Sequence, residues 1–407
     1  MVADQSRGIY TVTMAAYFGK ILSCLWRDCA VLLAVLCVAS AFVHAEKPAQ
    51  CTPSFPFKQG WWGADAAYSI PLPDGRSVWI FGDTLYGDKR VVVGNAPRMV
   101  HNSIGVSQCG AGGKWDLQYV IRHGPDGQPA AFFQAQKKET WYWALDGFVH
   151  GRDLWVTLLC VRKAKAPQPW AMDFETCGAD LAQVSGLSAD PQKWKVKYFP
   201  LAQDGVAAYP SATTVVDGAY VYLFALYEKD NRPMFLTRIP LAGLETPPAS
   251  LQYLSKAGKW EPGLKPEDAM AVMVPGASEM TVRYHADLKK WVAVMKSPDF
   301  LSDAIVLRTA DRITGPWSEG QVIYRIPEMQ TDSPGYQKNT FCYAGKEHPE
   351  FEEPGSLLVT YVCNTMKVPD LATKLKIYVP KVLRLSFPKE EQSSRGAASG
   401  GDKAQKH

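Results

Sequence analysis

Apolar and polar positions along the chain fall into short β-like runs, and five stretches share one layout. "AYSIPLPDGRSVWIFGD" begins near Tyr68, "DGFVHGRDLWVTLLC" at Asp146, "SATTVVDGAYVYLFAL" at Ser211, "EMTVRYHADLKKWVAVM" at Glu279 and "YAGKEHPEFEEPGSLLVTYVCNT" at Tyr343. Each is a short run, a polar or glycine-containing turn, and a second run with Trp, Tyr or Leu before aliphatic residues. The starts recur every 64 to 78 residues. Further β-like runs follow each hairpin: "NSIGVSQC", "WKVKYFP", "MFLTRIPL", "AIVLRTA" and "KIYVPKVLRLSF". Five units of about four strands predict an all-β fold, a five-bladed β-propeller, over residues 46–388. Two packed β-sandwiches are the alternative, but they do not account for the near-even spacing. Helical periodicity is scarce. "LKPEDAMAVM" (264–273) reads as at most a short turn or helix, and "GAGGK" (110–114) as a hairpin turn.

The first hairpin carries the first chemical signal. Tyr68 to Leu72 and Val78 to Phe81 flank Pro73-Asp74-Gly75. Proline presets φ for the first turn position, and glycine accepts the left-handed φ of a three-residue loop. With that loop Leu72 faces Arg76, each facing pair sums to 148, and Asp65 faces Asp83. Facing Cβ atoms lie about 4.5–5.5 Å apart, where like charges are destabilising. A loop one residue longer or shorter would put the two acids on opposite faces.

In a propeller the first strand of each blade lines the central channel, so residues just before those strands gather at one mouth. Asp65, Asp146, Tyr209, Glu279 and His348 are expected there, and Asp83 returns to the same face at the end of its antiparallel strand. Grouped carboxylates split their pKa values, because neighbouring charges resist ionising together. One can then hold a proton while another remains an anion, the division of labour that glycosidic cleavage requires. Trp62 and Tyr86 flank the two acids and offer stacking faces for a sugar ring; Asn102 offers a polar contact. Each residue also has a plainer reading. Asp at a turn-like strand edge bonds backbone N–H groups, Asp146 and Glu279 can simply start strands, and the aromatics and His348 can be satisfied core residues.

Composition narrows the partners. The chain has 407 residues, 47% hydrophobic, with a net charge of only +4 and no long basic run, which argues against nucleic acid. Thirteen Trp and eighteen Tyr suit sugar platforms, and equally suit β-rich packing. There is no HExxH, paired CxxC, P-loop or GxGxxG pattern, so no metal ligand set and no cofactor are indicated, although a channel ion is compatible with the fold. Arg7, Lys20 and Arg27 precede the apolar run "CAVLLAVLCVASAFVHA" (29–45), which reads as a secretory signal cut after Ala45. Translation from Met14, or an uncleaved membrane anchor, is the alternative, since the run is at the short limit for a span. The expected location is secreted or periplasmic. Of nine cysteines six follow Ala45, an even count that favours disulfides among 15 connectivities. Cys160–Cys177 and Cys342–Cys363 are closest in sequence, leaving Cys51–Cys109; free buried thiols are the alternative. The Gly/Ser-rich stretch after Pro388, residues 389–407, reads as a disordered tail.

The segment "GADAAYSIPLPDGRSVWIFGDT" (63–84) resembles the signature of exported bacterial propellers long catalogued as domains of unknown function. That wider group includes endo-D-arabinanases, and its fold is similar to five-bladed furanosidases and arabinanases. "RMVHNSIGV" (98–106), "WYWALDGFVHGRDLWV" (141–156), "ASEMTVRYH" (277–285), "RTADRITGPWS" (308–318) and "YAGKEHPE" (343–350) resemble further blocks in the same order, from about Trp61 to Leu385. The resemblance implies a glycoside hydrolase acting on a furanose-containing polysaccharide such as an arabinan. It makes Asp65 and Asp83 the catalytic pair and Asp146 and Glu279 further acids of the site. Trp143 stands in the second of those blocks as a substrate contact, and His348 resembles a channel histidine near a central water or ion. A non-catalytic carbohydrate- or envelope-binding propeller is the alternative, and a purely structural scaffold a third reading.

Overall fold

The computed structural model describes residues 51–387 apart from 88–97, 166–172, 230, 368–370 and 372–373. The expected secretory segment (1–45) and polar tail (389–407) lie outside the described residues. Five antiparallel sheets follow one another along the chain, each begun by one of the five hairpins. Their inner strands are Trp61–Pro71, Thr140–His150, Ala208–Asp217, Met280–His285 and Thr340–Glu347. Each turns back into a second strand: Arg76–Tyr86, Asp153–Lys163, Tyr220–Tyr227, Lys290–Lys296 and Ser356–Thr365. Successive inner strands pack side by side and that of blade 5 meets that of blade 1, so the ring closes. The protein is a five-bladed β-propeller.

Alternation along the second strands explains why blades stack. In blade 1, Val78 and Ile80 join a core shared with blade 2, while Trp79 and Phe81 join one shared with blade 5. In blade 4, Ala293 and Met295 face blade 3, and Val292 and Val294 face blade 5. A strand buried on both faces reads as a near-continuous apolar run, as these do. Blades 2 and 4 have the expected four strands, blades 1 and 3 add short ones, and blade 5 has three among the described residues. "GAGGK" is a turn centred on the 3₁₀ segment Ala111–Gly113, and "LKPEDAMAVM" ends in the short strand Ala271–Met273.

Three disulfides pair the cysteines by sequence proximity. Cys51–Cys109 ties the entering chain to the third strand of blade 1, Cys160–Cys177 joins neighbouring strands of blade 2, and Cys342–Cys363 links the two inner strands of blade 5. They point to an extracellular or periplasmic protein, since such bonds persist in oxidising compartments.

Candidate active site

The first hairpin has the expected loop and register. Leu72 and Arg76 close the turn with a backbone bond of 2.7 Å, and Ser69↔Trp79 and Ala64↔Thr84 obey the expected pairing. Between them the ladder departs from regularity. Ala64 pairs with Thr84 but Ala66 pairs with Phe81, so Gly82 and Asp83 together stand opposite the single Asp65. A second shift before Tyr68 restores the register, leaving Ala66 and Ala67 with positive φ of 67° and 68°. The expected facing pair Asp65/Asp83 is therefore a β-bulge rather than a ladder pair. Bulges of this kind re-aim side chains. Gly82 is required there: a Cβ on it would lie 2.2 Å from Asp65 Oδ1.

Both acids open onto a cavity of about 420 Å³, also lined by Trp143, Glu279, Lys296, Phe300, Phe341 and Tyr343. It draws on blades 1, 2, 4 and 5, with Glu228 and Arg232 added from blade 3. Asp65 accepts a hydrogen bond from Tyr343 Oη at 2.9 Å. Burial, then the charges of Asp83 and Glu279, hold its carboxyl well above the usual Asp range. Asp83 Oδ1 accepts from Trp143 Nε1 at 3.3 Å and lies 3.0 Å from His101 Nδ1, while Tyr378 Oη donates to the Asp83 carbonyl at 2.9 Å. Glu279 accepts from Tyr68 Oη, and burial raises its pKa against the opposing pull of Tyr68 and Lys346. A larger depression of about 690 Å³ on blade 3, lined by Lys256, Lys265 and Glu267, includes none of the expected site residues. The smaller cavity is the better candidate because only there do several buried carboxylates converge.

The ring interior behind the cavity holds the rest of the acids. Asp146 is buried and absent from the cavity lining. Its carboxylate accepts from Thr213 Oγ1 at 2.6 Å, Thr214 N at 2.8 Å and its neighbour Gly147 N at 2.9 Å. Arg283 and Lys346 stand 3.8 and 4.0 Å from it. Lys346 is itself buried, donates to the Leu145 carbonyl, and places its ammonium 3.8 Å from the centre of the Tyr68 ring. Burial pulls its pKa down to about 8. A polar chain thus runs Asp146–Lys346–Tyr68–Glu279 from the interior to the cavity.

His348 does not reach the expected mouth. "YAGKEHPE" is the end of an inner strand that begins at Thr340, so Tyr343 is at the cavity and His348 lies past the strand's far end. It is fully buried between Ser69 Oγ (2.7 Å) and Thr360 Oγ1 (2.8 Å), and burial followed by the Lys346 and Arg283 charges lowers its pKa to about 3. Asn102 is also fully buried: it donates to the carbonyls of Phe133 and Tyr142 and accepts from Phe133 N, bracing the strand that presents Trp143. Trp62 donates to the Gly87 carbonyl and packs on Phe57, and neither it, Tyr86 nor Tyr209 lines the cavity. Sequence reasoning did not single out Tyr68, Tyr343, Tyr378, His101 or Lys346. The signal for Lys346 was a lysine on a predicted inner strand, where a charge must find buried partners.

An architecture of this kind, with carboxylates from different blades meeting at one end of the channel, defines a propeller with an acid-lined cavity. The chain belongs to the family described as Domain of unknown function (DUF5005), whose model matches residues 53–386. No curated protein matches it in sequence. Among solved structures it is similar to a candidate hydrolase from Bacteroides ovatus ATCC 8483, with 19% identity, TM-score 0.65, and 85% of this chain and 89% of that chain covered. That likeness shows a shared fold. An exo-1,5-alpha-L-arabinanase from a bovine ruminal metagenomic library aligns at 9% identity and TM-score 0.40, covering 80% and 94% of the two chains. The GH43 BlXynB protein from Bacillus licheniformis aligns at 11% identity and TM-score 0.43, covering 82% and 54%. Both fits are too loose to carry an argument about chemistry.

Proposed function

We propose that the protein is an exported glycoside hydrolase that cleaves a furanose-containing polysaccharide, with arabinan the first substrate to test. The observation that carries the reading is Asp65, buried beside Asp83 and Glu279 in one cavity, which holds its carboxyl well above the usual Asp range. In this role Asp65 donates its proton to the leaving glycosidic oxygen as the bond to the anomeric carbon breaks. Asp83, across the bulge, is the group that attacks that carbon or takes a proton from the attacking water. Glu279 sets the charge felt by Asp65, and Trp143 offers a sugar-stacking face. Asp146 acts one step back, positioning Lys346, while Asn102 and His348 hold the frame and Trp62 and Tyr86 the outer wall. The apolar run at 29–45 supplies the export signal.

The test follows released reducing ends from arabinans, arabinogalactans and other cell-wall glycans for wild type, Asp65→Asn and Asp83→Asn. Cleavage by the wild type that is lost in both variants is the expected result. Glycan binding without cleavage, unchanged by either substitution, would sink the enzyme and leave a sugar-binding propeller.

A further inference from the structure

His285 ends the inner strand Met280–His285, six residues beyond Glu279 and roughly 20 Å along an extended backbone. Beside it Glu347 ends the inner strand of blade 5, and Glu352 follows the 3₁₀ turn Pro349–Phe351. One donor atom from each of the three residues lies within 4.8 Å of the others. The elements fix them firmly. Glu347 N donates to Thr281 Oγ1 on the neighbouring blade at 3.2 Å, and Leu358 N donates to Glu352 Oε1 at 3.1 Å. The side chains of His285 and Glu347 are 9% and 0% exposed. His285 Nε2 meets Glu347 Oε1 at 2.6 Å; Glu347 Oε2 is buried and receives no N–H or hydroxyl group, and the Glu352 carboxyl is the group that faces Glu347. Two carboxylates held this close out of solvent repel one another, and a cation is the partner that relieves both.

We propose that His285, Glu347 and Glu352 form a divalent-cation site that pins the inner strands of blades 4 and 5 together at the end of the ring away from the cavity. One imidazole nitrogen and two carboxylates match Zn²⁺ better than the all-oxygen shells of Ca²⁺ or Mg²⁺. With donors at the widest spacing, a central ion stands about 2.8 Å from each, so closure by under about 1 Å reaches the 2.0–2.2 Å of zinc ligation. Two carboxylates balance the ion's charge. None of the three residues lines the cavity, and the site does not depend on what the cavity hydrolyses.

The full chain is stripped with EDTA and dialysed against Zn²⁺. Bound metal per chain is read by elemental analysis and Tm by thermal unfolding, for wild type, Glu352→Gln, His285→Gln and Asp83→Asn. Expected are one equivalent of Zn²⁺ and a raised Tm in wild type and Asp83→Asn, with affinity at least tenfold weaker in the other two. Glu352→Gln keeps the size of the side chain and removes its charge, so it tests ligation and not packing. Less than one-tenth of an equivalent with no Tm change in the wild type overturns the proposal. So does wild-type affinity in both Glu352→Gln and His285→Gln, which would place the ion elsewhere on the chain.

Discussion

Asp65 and Asp146 are both aspartates on inner strands of one ring, and the protein treats them oppositely. Asp146 receives two backbone N–H groups, a threonine hydroxyl and two cations. Asp65 receives a tyrosine hydroxyl at Oδ2 and is surrounded by the charges of Asp83 and Glu279. Burying a charge is costly unless it is paired. Where partners are supplied, the acid becomes a strut joining blades 2, 3, 4 and 5. Where like charges crowd it and a cavity opens, the carboxyl is held well above the usual Asp range, and in the proposed mechanism it serves as the reagent. Burial alone does not separate the two roles; the count and sign of the partners do.

The sharpest way to break this contrast is to neutralise each acid in turn. Asp65→Asn should lower glycan cleavage by at least about a thousandfold, within the span of a lost acid–base group, while leaving Tm at pH 8 unchanged or higher. The sign follows from linkage. A carboxyl whose folded pKa is raised binds more protons folded than unfolded, so its contribution to stability falls as pH rises from the ordinary Asp range through the folded pKa. Removing the charge relieves that loss. Asp146→Asn should do the reverse, destabilising the fold by about 3 kcal/mol because Lys346 and Arg283 lose a buried counter-charge. Denaturant unfolding of the two variants side by side checks the opposite signs, and equal losses would erase the distinction.

Gly82→Ala tests placement without touching either acid. The new methyl must displace the Asp65 carboxyl, which is the free end of a side chain, so cleavage should fall by about 100-fold, or ~2.7 kcal/mol, with a much smaller loss in stability. A wild-type rate in that variant would mean that the bulge does not position the acid. The smallest effect is expected from Glu279→Gln. It removes one of the charges that raise the Asp65 pKa, so the basic limb of the kcat/KM profile should move to lower pH while the fold holds. A limb that stays in place would assign the proton to another group.

Much of the fold was legible because blades are local objects. Each hairpin pairs residues close in sequence, so turn chemistry and period-two patterning reach the register directly, as Pro73-Asp74-Gly75 did for the first blade. The disulfides were legible for the same reason, since each joins strands of one blade or the segment entering it. The site was legible only in part. Asp65, Asp83 and Glu279 meet at the cavity as expected, joined by Trp143, to which only the resemblance pointed; Asp146 stays in the ring interior, and His348 was assigned to the wrong end of its strand because the run "YAGKEHPE" hides where that strand begins. Tyr68, Tyr343 and Tyr378 carried no signal, because a tyrosine that packs and a tyrosine that donates to a carboxylate look alike in a β-rich chain.

By itself, then, the sequence determined the number of blades and the inner hairpins, because these depend on contacts a few residues apart. Tertiary structure decided the rest. Whether an acid is saturated, like Asp146, or left to crowd its neighbours, like Asp65, depends on partners 60 to 280 residues away. The bulge that gathers Gly82 and Asp83 opposite one residue answers to the same long-range packing. Closing the ring is what sets one blade's side chains against the next, and the electrostatics of the site exist only once it has closed.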